Sequence, residues 1–161
     1  MSSHPNSNRP AGLAIAEPDA LTHSWPLFEQ PRHFELGHIL NCAVIDILQP
    51  EEVGALSLHH SGCWECDLSD DSLTWSGGVY DLFGLPRGVK ISREESVGYY
   101  CEGSRAKMER LRAYSIKHRR GFTLDVEIRA AAGEHRWMRL IAAPVCAGDR
   151  VVRLSGLKLV I

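Results

Sequence analysis

Nowhere in the 161 residues does an apolar run approach the roughly 20 residues that a helix needs to cross a bilayer. The first residues do not read as a basic-then-apolar leader, and five cysteines without one set the expectation of a reduced, cytoplasmic protein. Charge of either sign is scarce in the balance: a net charge of −2 gives no electrostatic reason to expect nucleic acid or an anionic membrane as partner. Also missing are a Gly-rich phosphate loop, a nucleophile elbow, a metal-binding helix motif, and a basic stripe interleaved with aromatics. His135 beside Glu134 and Arg136, and Asp70 beside Asp71, are the nearest approaches to acid–base pairs, and all fall at expected turns, where such groups are ordinarily solvated. The expectation is therefore a protein that is not an enzyme. What is present is globular: 44% hydrophobic and 24% charged residues, in a chain one domain long with enough core to fold alone.

Residues 1–24 are rich in Ser, Asn, Pro and His, show little periodicity, and are expected to form a disordered tail. Residues 25–60 read as a helical cap. The run Phe34–Leu48 is apolar, with Leu36, Ile39, Leu40, Ala43, Val44 and Ile47 along one side of a helix. Pro50–Glu51–Glu52 suits a second helix start, running through Val53 and Leu56 until Gly62 ends it. Two amphipathic segments need something to cover, either their own sheet or a second copy of the chain. Leu36, Ile39, Leu40, Ala43, Val44, Ile47, Val53 and Leu56 are thus the candidate dimer or partner surface.

From Gly62 the pattern changes to period two. Trp64 and Leu68 alternate in one short strand, Leu73 and Trp75 in the next, and Ser69, Asp70 and Asp71 supply the turn between them. Gly77–Gly78 leads into a one-turn helix that Gly84 stops. Ser92 with Glu95 forms a capping-box pattern for a short helix, and Ser104 opens a longer one ended by Gly121. On that helix Met108, Leu111, Ser115 and His118 share one face. Three strands follow: Phe122–Arg129, apolar at Phe122, Leu124, Val126 and Ile128; His135–Ala143, with Met138, Leu140 and Ala142 on one face; and Arg150–Val160. Two strands, several helices and three strands, without a βαβ rhythm, predict an α+β domain over residues 61–161, a five-stranded antiparallel sheet with helices on one face.

These pieces in this order resemble a PAS domain of the subgroup with Trp in the first strand and Gly-Glu-x-x-Trp in the fourth. The residues that carry the resemblance are Trp64-Glu-Cys-Asp-Leu68, Trp75-Ser, Val79-Tyr-Asp-Leu-Phe-Gly84, Gly133-Glu-His-Arg-Trp137, Pro144-Val145 and Arg153-Leu-Ser-Gly156. Such domains usually leave through an Asp-Ile-Thr linker, whereas Lys158-Leu-Val-Ile161 stands here, the expectation being either a cut before an output module or a free-standing domain.

The resemblance implies a bacterial-type sensory and signal-transduction module without a catalytic centre. It would form a homodimer and dock to signalling proteins such as histidine kinases, cyclic-nucleotide enzymes or transcription regulators. Mapped onto this chain, the family's ligand cavity would be lined by Met108, Leu111, Ser115, His118, Leu124, Val126, Ile128, Met138, Leu140 and Ala142. The competing reading is that these side chains simply fill one another as a core.

No cofactor is expected, and three alternatives set the limits of that expectation. Haem-binding relatives use a histidine on the long helix, which nominates His118, although an imidazole there can also bond the last helix carbonyls. Flavin-binding relatives need a Cys within Asn-Cys-Arg-Phe-Leu-Gln, which neither Cys42 nor Cys101 provides. Cys63 and Cys66, with His59 and His60 nearby, have the donor types of a zinc or redox site. In a strand, however, residues three apart point to opposite faces.

Overall fold

The structure, a computed structural model, describes residues 22–40 and 61–161. Its centre is one antiparallel sheet of six strands in the order β1-β4-β5-β6-β2-β3. The strands are β1 (Thr22–Pro26), β2 (Gly62–Asp67), β3 (Ser72–Trp75), β4 (Arg120–Arg129), β5 (His135–Ala147) and β6 (Arg150–Val160). Four helices accompany them: α1 (Gln30–Leu40), α2 (Gly77–Phe83), α3 (Arg93–Gly98) and α4 (Glu102–His118).

Five of the strands are those expected, and the sixth corrects two expectations at once. Residues 22–24 belong to strand β1 rather than to a tail, and the sheet has six strands rather than five. The strand exists because of what it meets on β4. Trp25 pairs with Gly121, and a Cβ on Gly121 would lie 2.1 Å from the indole, so only glycine admits the ring there. Trp25 Nε1 donates to Thr123 Oγ1 at 3.1 Å, and Arg120 Nε donates to Ser24 Oγ at 2.9 Å. β4 is consequently covered on both faces, not half-buried as its alternation predicts: Thr123 and Asp125 are as buried as Leu124 and Val126. Asp125 is held there by a two-pronged pair with Arg139 of β5, at 2.8 and 3.1 Å.

The sheet separates two apolar clusters. On the helical face Leu124, Val126, Ile128, Met138, Leu140 and Ala142 meet Val79, Leu82 and Phe83 of α2, Val97 of α3 and Met108 of α4. On the other face Ile141, Ala143, Leu157 and Leu159 are covered by Trp25, Leu27 and Phe34. Helix α1 packs there against β5 and β6, four residues earlier than the expected start at Phe34. The rest of the expected cap, including Ala43, Val44, Ile47, Val53 and Leu56, lies outside the described residues.

Local chemistry explains the helix ends. Ser92 Oγ accepts the Glu95 N–H at 3.1 Å, the cap expected for α3. Ser104 does not cap α4, contrary to expectation. The helix begins one turn earlier in register, after Cys101, and Ser104 Oγ accepts the Glu127 N–H of β4 at 2.9 Å, tying helix to sheet. Gly84 ends α2 at φ +69°. Arg136 then donates to the helix-end carbonyls of Asp81 and Leu82, which gives the Gly-Glu-x-x-Trp segment a structural role against α2.

Candidate functional site

On the helical face Lys158 is a buried side chain that can carry charge. It comes from β6, where Leu154, Gly156 and Lys158 share the inward phase, and it is 6% exposed. Four rings surround its Nζ: Trp64 of β2 at 5.5 Å, Trp75 of β3 at 5.3 Å, Phe83 of α2 at 5.0 Å and Tyr100 after α3 at 5.5 Å. Trp75 and Phe83 stack on one another with centroids 5.0 Å apart, which fixes two walls of the cage. Lys158 Nζ donates to Tyr100 Oη at 3.1 Å. Burial away from water pulls the amine down to about 7, and Arg93 pushes it the same way, with Cys66 opposing. Burial drives the Tyr100 phenol upward, so it stays protonated.

A cavity of about 50 Å³ opens beside this amine. Trp64, Cys66, Phe122, Leu140 and Leu154 come to it from the sheet, and Val97, Tyr100 and Met108 from the helical layer. Arg93, Ser96 and Arg112 add polar groups to the lining. The two guanidinium groups are each matched by an outer carboxylate: Arg93 pairs with Glu109, and Arg112 pairs with Asp71 at 3.1 Å. Among the described residues Lys158 has no carboxylate partner. A wider groove of about 890 Å³ runs outside, between the Asp70–Ser72 turn and Lys90–Glu95. It shares Leu73, Arg93 and Val97 with the cavity, so those side chains stand at the boundary between inside and solvent.

Of the expected cavity residues, Met108 and Leu140 line this space. Leu124, Val126, Ile128, Met138 and Ala142 are packed into the adjoining core, and Leu111 packs against it. Ser115 is buried but donates to the Arg120 carbonyl at the helix end. His118 is a correction: it is exposed, its ring 4.3 Å from that of Tyr114, on the solvent side of α4. The helix stops there, Arg119 taking a left-handed conformation at φ 53°, so the imidazole is not carried towards the cavity. Sequence reasoning missed Lys158, Arg93, Arg112, Tyr100 and Cys66. One signal was present: a lysine inside the apolar run Leu157–Ile161, in phase with inward Leu154.

Two groups of metal-ligating side chains can be placed. Cys63 belongs to the cluster on the outer face and Cys66 to the one on the helical face, so the sheet stands between them. Cys66 is pushed up by burial, which keeps its thiol neutral. Elsewhere Cys101, Glu127 and His135 bring donor atoms within 4.8 Å of one another. His135 Nδ1 lies 2.8 Å from Glu127 Oε1 and 3.9 Å from Cys101 Sγ. The donor types suit zinc, but the His135–Glu127 contact is already satisfied as a pair across β4 and β5.

No protein-family model matches the chain, and no curated protein matches it by sequence. Solved structures do match by shape. The N-terminal domain of a diguanylate cyclase with PAS/PAC sensor from Marinobacter aquaeolei aligns with TM-score 0.56 at 15% identity, over 61% of this chain and 92% of that one. A sensory box histidine kinase/response regulator from Burkholderia thailandensis aligns with TM-score 0.54 at 16% identity, over 68% and 83%. An RNA-binding light-oxygen-voltage receptor aligns with TM-score 0.56 at 15% identity over 62% of this chain, which spans only 29% of the receptor's own length. With the strand order and the helices packed on one face, these likenesses establish the architecture: the chain adopts the PAS fold.

Proposed function

We propose that the chain is a non-catalytic sensory and signal-transduction domain that dimerises, docks to a signalling partner and takes a small molecule in the cavity beside Lys158. The observation that carries this reading is that cavity: a mainly apolar space lined also by one buried amine and two guanidinium groups, Arg93 standing at the boundary with the outer groove. A fold built only for packing gains nothing from a buried lysine, whose desolvation costs several kcal/mol. The relatives in shape support the sensory part, since their names include a sensory box histidine kinase and a diguanylate cyclase with a sensor. Histidine kinases and cyclic-nucleotide enzymes are accordingly the partner classes, and a bacterial cytoplasm is the setting. Among the described residues no helix is long and apolar enough to cross a membrane.

The cavity also supports a function without haem or flavin. About 50 Å³ accommodates roughly three to five water-sized groups, at about 10–15 Å³ each, far less than either cofactor needs. For the dimer, the supporting features are helix α1 on the outer face and Phe28 beside it, 83% exposed. The test is mass in solution, by light scattering, for the full chain and for Phe28→Glu and Ile39→Glu variants. A dimer that one or both variants convert to monomer, with unchanged circular dichroism, is the expected result. A monomeric parent chain, or a dimer indifferent to both changes, overturns the assignment of the interface.

A further inference from the structure

We propose that the Lys158 cavity is a receptor site for a short-chain aliphatic monocarboxylate, its charge on the Lys158 ammonium and its tail against the apolar walls. This deepens the small-molecule reading above and rests on it. Three observations converge. First, charge is balanced everywhere in the site except at Lys158. Arg93 has Glu109 and Arg112 has Asp71, whereas Lys158 has only neutral partners among the described residues, the Tyr100 hydroxyl and four ring faces. One negative charge completes the balance, and two would exceed it. Second, apart from Ser96 and the neutral Cys66 thiol, the remaining lining is hydrocarbon and aromatic, including Trp64, Val97, Met108, Phe122, Leu140 and Leu154. That favours an aliphatic tail over a second polar group. Third, the volume of about 50 Å³ suits a ligand of roughly three to five heavy atoms by the water measure, and excludes a nucleotide or a sugar.

The groups facing Lys158 set its protonation. Cys66 lies on β2, Arg93 on α3, Arg112 on α4 and Tyr100 between α3 and α4, with Glu109 and Asp71 at the outer edge. Because burial holds the free amine near 7, carboxylate binding must restore its proton, and affinity must fall as pH rises. From pH 6.5 to 8 the protonated fraction of a group titrating at about 7 drops roughly eightfold, and the dissociation constant should rise by the same factor.

The experiment uses the full chain and calorimetric titration with propionate, with propionamide as the neutral isostere and sodium chloride to hold ionic strength constant. Expected are saturable propionate binding, none by propionamide, a roughly eightfold loss from pH 6.5 to 8, and a loss of at least tenfold in Lys158→Met. Equal binding of propionamide, an equal effect of chloride alone, pH-independent binding, or propionate binding untouched by Lys158→Met each overturns the site. The pH series on the parent chain decides the matter even if the variant folds poorly. Solution mass, measured alongside, reports on dimerisation independently, so failure of the ligand assignment does not read as failure of the signalling reading.

Discussion

An amine enclosed by four aromatic rings loses most of its hydration, and the ring faces return only part of it, since a cation–π contact contributes roughly 0.5–2 kcal/mol. Lys158 should therefore make stability depend on pH, with a sign that can be worked out. Its folded value is about 7 against an ordinary 10.5. Between those values the unfolded chain holds a proton that the folded chain has released, so stability rises with pH across that window. Below about 7 both states are protonated and the cost of burying the charge is fully present, on the order of 5 kcal/mol for the whole interval. The share falling between pH 6.5 and 8 is about 1 kcal/mol. Lys158→Met, which keeps the length of the side chain and drops the amine, should unfold at higher urea than the parent at pH 6.5, and the gap should narrow by that amount at pH 8. Denaturant midpoints at the two pH values check it. A gap that does not change would mean the amine is as well solvated in the folded chain as in the unfolded one.

At the scale of single elements, β1 shows how five residues become a strand through one side chain. Trp25 fills the space above Gly121, donates to Thr123 Oγ1, and stacks on His33 of α1 with centroids 4.2 Å apart. It therefore joins β1, β4 and α1. Trp25→Ala should destabilise by about 3–5 kcal/mol, the usual cost of emptying a large buried site, and Trp25→Phe by clearly less. Gly121→Ala should approach the loss of the tryptophan, because the added methyl and the indole cannot share the space. Thermal unfolding of the three variants measures this, and a mild Gly121→Ala would show that the ring has room to move. None of β1 is legible in Thr-His-Ser-Trp-Pro alone. The segment is short, mostly polar and without alternation, and its reason for pairing lies 98 residues away at Thr123. By contrast β4, β5 and the Trp64–Trp75 hairpin declare themselves, because their periodicity is local. The site divides the same way. Met108 and Leu140 follow from the phase of α4 and β5, and Lys158 shares the inward phase of Leu154 although its charge reads as exposed, whereas the two arginines reach the cavity by side-chain length, which no period encodes.

For the molecule as a whole, the sheet keeps two apolar faces whose covers come from different parts of the chain. Every member of the helical-face cluster lies between Trp64 and Leu154, and the cage around Lys158 is complete within 61–161. The outer face instead depends on Trp25, Leu27 and Phe34. Removing residues 1–60 would bare Ile141, Ala143, Leu157 and Leu159 together and leave β4 as an unpaired edge, two features that promote association between chains. Such a fragment should keep the circular dichroism of a folded α+β domain less the contribution of α1, melt several degrees lower, and self-associate as its concentration rises, read by light scattering against the full chain. It should also keep the stability difference of Lys158→Met between pH 6.5 and 8, since nothing that sets the amine's environment among the described residues has been removed. A fragment as stable and as dispersed as the full chain would show that the N-terminal cover adds no stability. Loss of the pH effect would show instead that the two faces are coupled through the sheet. β5 and β6 carry both clusters, so they are the strands through which such a coupling would run.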